Sequence, residues 1–455
     1  MRLITLVLLI FITQIFYGQN QYLNYDPTGY WTGAVIRNGN AVQIVEAEIT
    51  RQGSDLRISI STPDRVFFPS RASNVRIERN TWRFETPYGL AEMLFDSTYM
   101  ELVGTAGQEP SLLNFHLKKS LRPVKPKISE RELSFNNNGF EFGGTLFLPE
   151  LYERPLACAI LVHGRSCGGR NSFAGQARKL AEYGIATIAF DKRGSNVTGF
   201  DCNKITAEML VGDVLAVIKK AAEQPEIDAK RIGMISNSAG GWIVPRAARE
   251  SKVEIAFLVT MVGPSTSVKE QQLDCIQAYG TNQGFTAQMI KDAKHYTELM
   301  FATNNLDQVF VEMQELLKKA RAERWDVVLE STDIPASAAD IKNLWVQRFD
   351  CDPAADLKAF KGSFLSILGG ADDIVPYQSQ IKRFEEIFRE SGKENYSIAV
   401  MPSAGHDLGH RGLMRDLGQH PTLKTNLQYL KYPRVAADAA IEIINFLRQY
   451  DFIPE

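Results

Sequence analysis

The chain has 455 residues, of which 44 % are hydrophobic and 23 % charged, with a formal net charge of -2 at pH 7. That length carries two or three domains and a sizeable core, and the composition is that of a globular protein. The near-neutral total and the lack of any Lys/Arg-rich run argue against a nucleic-acid-binding protein.

Met1-Arg2 precedes an apolar run, Leu3 to Phe16, that turns polar at Tyr17-Gly18-Gln19. One early positive charge, a short apolar region and a small residue at its end read as a secretory signal peptide, residues 1–18, cleaved after Gly18. The run is short for a membrane span. The expected location is therefore exported, periplasmic or secreted, with no stable membrane insertion once the leader is removed.

Residues 19–120 read as an all-β domain. Short alternating runs recur at Ala41 to Ile49, Leu56 to Ile60, Val75 to Ile77, Thr81 to Glu85, Leu90 to Phe95, Tyr99 to Val103 and Leu113 to Leu117, with turn residues between them. Period-two alternation of this kind predicts a β-meander, closed or sandwiched. Trp31, early in the first strand, is expected to plug one end of a small barrel rather than to stack on a sugar. The proline-containing, basic "LRPVKPKIS" marks a linker over residues 121–130.

From residue 131 to 455 strands alternate with helices. "ELSF" and "GTLFLP" flank "NNNGFEFG" as a hairpin. "LACAILVHG" is a continuous apolar run, which suits a strand buried on both faces. Helices fit Phe173 to Tyr183, Thr206 to Glu223 and Ala436 to Tyr450. "GIATIAFDKRG", "RIGMIS", "VEIAFLVTMVG", "SFLSILGG" and "YSIAVMP" supply further strands. The alternation predicts a mostly parallel, doubly wound α/β sheet. It breaks at about 266–356, where three stretches have helical spacing and no strand lies among them. Insertions at the C-terminal edge of such a sheet lie over the ligand crevice, so this one is expected to be a helical cap.

"RIGMISNSAGGWIVP" places Ser238 between a strand and a helix with small residues on either side. A nucleophile elbow needs that context, normally as Gly-x-Ser-x-Gly. Here Ser236 takes the first small position and Gly240 the last. A serine hydroxyl needs a base, and the base an orienting acid. His406 follows the last strand in "MPSAGHDLGH", and Asp372 and Asp373 stand together in "GGADDIVP". The oxyanion would be held by two backbone amides, Ala239 after the nucleophile and Arg165 in "LVHGRSCGGR". Arg165 and Arg170 could also meet an anionic substrate. Asp191 with Arg193 is expected to brace its loop. His406 and His410 have HxxxH spacing, but Gly405 and Gly409 make a poor zinc helix; no metal and no organic cofactor is expected. His410 and His420 are read as surface or supporting residues.

Five cysteines leave at least one unpaired. Cys167 and Cys202, both in loops after strands, form the candidate pair, and Cys158 reads as buried packing.

In this order, His163-Gly164, "DKRG", Ser236 to Gly241, "GGADDIVP" and "AGHD" resemble exported bacterial α/β-hydrolases, the serine esterases and the relatives of dienelactone hydrolase and prolyl oligopeptidase. "GYWTG" resembles the opening of the β-domain that precedes the hydrolase domain in such proteins. The resemblance assigns the acid to Asp372, four residues before the proline, with Asp373 as the alternative. It implies a serine hydrolase cleaving a carboxylic ester of a small molecule through an acyl-enzyme, with Ser238, His406 and Asp372 as the triad. A serine peptidase, aminopeptidase-like or prolyl-oligopeptidase-like, is the alternative. A catalytically inactive glycan- or lipid-binding protein is a third reading, disfavoured by the complete triad. No pattern in the chain sets an oligomeric state.

Overall fold

A computed structural model describes residues 25–37, 40–53, 55–61, 70–86, 89–107, 112–122, 127–150, 152, 155–195, 197–402, 404–408 and 439–454. The expected leader, His410 and His420 lie outside the described residues. Among the described residues the chain forms two compact units, one up to residue 122 and one from residue 127 onward. No described helix is long and apolar enough to cross a membrane.

The first unit is one antiparallel sheet. Its strands are β1 (Gly29–Arg37), β2 (Asn40–Gln52), β3 (Asp55–Ser61), β4 (Ser70–Arg71), β5 (Ser73–Glu78), β6 (Thr81–Thr86), β7 (Gly89–Asp96), β8 (Glu101–Ala106) and β9 (Leu113–Ser120). They lie in the order β4-β3-β2-β1-β9-β8-β7-β6-β5. Consecutive strands pair except β4 and β5, which stand at the two ends of the order, and β1 pairs with β9. Alternation sorts the side chains: Trp82 and Phe84 of β6 and Ala91, Met93 and Phe95 of β7 are buried, while Arg83 and Glu92 pair outside at 2.9 Å. Trp31 is fully buried in this core and donates from Nε1 to the Pro27 carbonyl at 2.9 Å, so it is a core residue with its polar handle satisfied.

The second unit holds an eight-stranded mixed sheet in the order β10-β11-β13-β12-β14-β15-β16-β17. Its strands are β10 (Ile128–Asn137), β11 (Phe140–Pro149), β12 (Leu156–Val162), β13 (Ala186–Phe190), β14 (Ile227–Asn237), β15 (Phe257–Met261), β16 (Ser363–Gly369) and β17 (Tyr396–Met401). β10 and β11 form a longer hairpin than the pattern suggested, paired up to Asn137↔Phe140. Asn138 and Gly139 both take positive φ, 51° and 87°, which closes a two-residue turn without fraying the strands. β10 also starts inside the stretch read as a linker. From β12 to β17 all pairings are parallel.

The chain steps from β12 to β13 on one side and returns to place β14 on the other. The C-terminal ends of β12 and β14 therefore flank the point where the winding reverses, the usual crevice of such sheets. β12 is buried along its whole length. Cys158, Ile160 and Val162 pack on one face with the helices Ala207–Ala222 and Gly240–Glu250. Ala157, Ala159 and Leu161 pack on the other with Ala174–Glu182 and Ala439–Gln449. Burial on both faces is why no polar alternation marked this strand.

Between β15 and β16 the helices Val268–Gln283, Ala287–Leu299 and Leu306–Glu323 form the expected insertion. Ser267 and Glu270 make a capping box at its start. Tyr296, Met313, Leu317 and Trp325 bury into the same core as the sheet face beneath.

Candidate active site

Ser238 directly follows β14 and stands two residues before the helix Gly240–Glu250, with φ of 50°. A non-glycine residue in the left-handed region costs about 1–2 kcal/mol, and here the surroundings impose it. The Ser238 amide donates to the Met261 carbonyl at 2.9 Å, and the Gly241 amide to the Ser238 carbonyl at 2.8 Å. The chain thus turns out of the sheet within one residue and lifts the hydroxyl off its edge. Ser236 is fully buried below, in the last residues of β14.

His406 Nε2 lies 2.8 Å from Ser238 Oγ, and its Nδ1 lies 2.8 Å from Asp372 Oδ2. The carboxylate needs the Nδ1 proton, so Nε2 is the acceptor for the serine hydroxyl. Asp372 accepts the amides of Ile374 and Val375 on Oδ1, at 2.8 and 3.0 Å, which leaves Oδ2 for the imidazole. Its neighbour Asp373 turns away and accepts Asn282 Nδ2 from the helical insertion at 2.6 Å. Of the two adjacent aspartates, the structure brings Asp372 to His406. Gly369 and Gly370 permit this: a Cβ on either would lie 2.5–2.6 Å from the carbonyls of Ala404 and Pro402 in the loop carrying His406. The Ala371 amide then donates to the Ala404 carbonyl at 2.9 Å, locking the two loops together.

The loop after β12 runs against the serine. A Cβ on Gly164 would lie 3.1 Å from Ser238 Cβ and 2.9 Å from the Asn237 carbonyl, so only glycine passes there. Among the described residues, neither the Arg165 amide nor the Ala239 amide donates to another group of the chain. His163 is buried between Phe173 and Phe190 and donates from Nε2 to the Phe190 carbonyl at 2.9 Å. Burial pushes its pKa down to about 4, so the ring is neutral and structural. Cys167 and Cys202 form a disulfide that ties this loop to the loop after β13, while Cys158, Cys275 and Cys351 are free.

Two readings of charged residues change. Arg170, expected as a substrate ligand, spends its guanidinium on Asp191, Glu132 and Thr145. Its amide also donates to Asp191 Oδ1 at 3.0 Å. It braces the loop after β12 against the sheet. Asp191 and Arg193 do not pair with each other. Arg193 instead grips buried Asp213 through Nε and Nη2, at 3.0 and 2.7 Å, with its plane 3.7 Å from the Phe140 ring. Both residues still brace their loop, but through separate partners, Arg170 for Asp191 and Asp213 for Arg193.

Sequence reasoning missed Lys192. It lies between those two residues, 2 % exposed, and donates from Nζ to the carbonyls of Gly164, Arg165 and Ser166 at 2.7, 2.9 and 2.9 Å. The available signal was a lysine one residue beyond an apolar strand, where a solvated charge has no room.

The insertion reaches both loops that frame the serine. Arg165 pairs with Glu330 and stacks over Trp345 at 4.5 Å, and Gln271 donates to the Ile374 carbonyl. Trp345 is itself held by Asp333 at 2.7 Å. Among the described residues no group of three or more His, Cys, Asp or Glu could hold a metal ion.

Residues 153–410 match the family model Hydrolase_4, described as serine aminopeptidase, S33. An uncharacterised 31.7 kDa protein of the traX-finO intergenic region of Escherichia coli is 36 % identical over 97 residues, 21 % of this chain and 34 % of that one. The chain thus spans about a third of the length of the curated relatives it matches. Among solved structures, Pyrococcus horikoshii acylaminoacyl peptidase is 15 % identical, with a TM-score of 0.43 over 89 % of this chain and 61 % of that one. A bacterial heroin esterase is 17 % identical, with a TM-score of 0.42 over 72 % and 85 %. Likenesses at that level lend no substrate to this chain.

Proposed function

Since the chain belongs to the serine aminopeptidase S33 family of α/β-hydrolases, we propose that it cleaves a carboxylic ester with Ser238 as nucleophile. The observation that carries the reading is His406 bridging Ser238 and Asp372, 2.8 Å to each. Ser238 Oγ attacks the acyl carbonyl as its proton passes to His406 Nε2. Asp372 fixes the imidazole tautomer and stabilises the imidazolium. The amides of Arg165 and Ala239 receive the oxyanion. The imidazolium protonates the leaving alkoxide, and water then releases the acid by the same path in reverse. The helical insertion acts as a cap, a view supported by its contacts to the loops after β12 and β16. Export is part of the proposal; the leader pattern and the Cys167–Cys202 bond fit an oxidising compartment.

A peptide substrate is the second reading, favoured by the description of the family itself. A fluorophosphonate probe followed by peptide mapping tests the shared mechanism: the adduct is expected on Ser238, and labelling elsewhere overturns it. Parallel rates on p-nitrophenyl esters and aminoacyl p-nitroanilides then decide between the substrates. Ester turnover with no anilide turnover supports the first reading; efficient anilide turnover replaces it with the second.

A further inference from the structure

We propose that Lys192 is a positioning residue that sets the oxyanion amide of Arg165 by gripping the three successive carbonyls in front of it. The inference rests on the reading of Ser238 as nucleophile and of the Arg165 amide as an oxyanion donor.

The argument starts from peptide geometry. In a planar trans peptide the carbonyl of one residue and the amide N–H of the next point in opposite directions. The carbonyls of Gly164, Arg165 and Ser166 all converge on Lys192 Nζ, at 2.7, 2.9 and 2.9 Å. The amides of Arg165, Ser166 and Cys167 must therefore face away from the lysine. Arg165 comes directly after Gly164, whose Cα passes so close to Ser238 that a Cβ there would lie 3.1 Å from the serine Cβ. Among the described residues its N–H donates to no group of the chain, and it stands next to the glycine that touches the serine.

The stoichiometry also fits. An ammonium has three protons and no acceptor, and it meets three carbonyls. Lys192 has its backbone held in turn: the Asp191 amide donates to the Gly143 carbonyl at 2.8 Å, and the Ser195 amide to the Lys192 carbonyl at 3.0 Å. The lysine thus transfers the rigidity of the β13 end to a loop that has no sheet partners of its own. Burial and, secondarily, repulsion by the Arg165 guanidinium push its pKa down to about 7. Placing a charge there is costly, which is unexpected for a residue serving only to fill space. Oxyanion donors act through preorganisation, so an amide free to rotate loses most of its effect.

The test compares wild type with Lys192→Met and Lys192→Gln. With the fluorophosphonate probe, wild-type Ser238 is expected to label; if it does not, the reading of the site fails and this one with it. If it does, Lys192→Met is expected to lower kcat about 10²- to 10³-fold, the usual loss for one oxyanion donor. KM should stay within about threefold, and inhibition by a phenylboronic acid, a tetrahedral mimic, should weaken in parallel with kcat. Lys192→Gln, which keeps two donors, should fall between them. A folded variant in which kcat and boronate affinity are unchanged, or in which KM and boronate affinity weaken equally, overturns the positioning role alone. A measurement on the wild type needs no variant to fold: boronate binding should slow hydrogen exchange of the Lys192 ammonium, assigned by ¹⁵N NMR. Unchanged exchange overturns the proposal as well.

Discussion

A methyl group at Gly240 would lie 2.9 Å from the Cβ of Ser236, the closest contact it would meet. The elbow around Ser238 therefore needs only one of its two flanking small positions to be glycine. With Gly240 bare, Ser236 fits in full burial, its hydroxyl 3.4 Å from the Val259 carbonyl. The departure from the usual motif is absorbed inside the motif.

Gly240→Ala should consequently destabilise the chain by about 1–3 kcal/mol, as overpacking does. Adding Ser236→Gly should recover part of the loss, because the carbonyls of His163 and Val162 still stand 3.1 and 3.2 Å from the new methyl. Urea midpoints of the two single variants and the double variant close the cycle. Strict additivity would mean that the two positions do not compete for the same space.

The two neighbouring aspartates should separate cleanly in kinetics. Asp372→Asn removes the acceptor for His406 Nδ1 and should lower kcat by about 10⁴-fold. Asp373→Asn disturbs a carboxylate that accepts from Asn282, and it should change kcat less than tenfold. Equal losses at the two sites would refute the assignment of the acid.

Arg193 and Asp213 form a buried pair, 8 % and 1 % exposed, with Asn137 Nδ2 donating to the same carboxylate at 2.7 Å. Asp213→Ala strands the guanidinium and should cost about 3–5 kcal/mol. Replacing both, as Arg193→Met with Asp213→Leu, should cost less than the single change, which thermal or urea unfolding would show.

Acid should weaken the fold through His163. Its folded pKa, about 4, lies below the ordinary 6.5. Above pH 6.5 both states are neutral at this ring and its contribution is fully present. As pH falls toward 4 the unfolded chain takes up a proton that the folded chain refuses, and stability is lost. The limit is about 3 kcal/mol, at about 1.4 kcal/mol per pH unit. His163→Gln should flatten this part of the urea midpoint against pH; an unchanged slope would place the acid sensitivity elsewhere.

The disulfide closes a loop of 35 residues. Chain entropy alone gives it about 3–4 kcal/mol. Cys167→Ala with Cys202→Ala should lower the melting temperature, and it should lower kcat as well, because Cys167 belongs to the loop that passes Ser238. A lower melting temperature with full activity would confine the bond to stability.

Much of this protein was written locally. Turn residues and two-residue alternation marked the β unit, and continuous apolar runs marked β12 to β16, because backbone period and burial act over a few residues. The same locality exposed Ser238 and His406 as candidates, each beside a small-residue turn at the end of a strand. The hairpin length, by contrast, waited on the positive φ of Asn138 and Gly139.

What the linear order could not decide was partnership. Asp372 and Asp373 are chemically identical neighbours; a family resemblance favoured Asp372, and the approach of the His406 loop over Gly369 and Gly370 is the physical reason for it. Arg170, Asp191, Lys192 and Arg193 are one run of charges and one distant arginine in sequence. In space their side chains diverge to Glu132, to the carbonyls of residues 164 to 166 and to Asp213, since successive residues leaving a strand point to different sides. A buried charge is defined by what surrounds it, and those surroundings come from a strand, a loop and a helix that meet only when the sheet assembles.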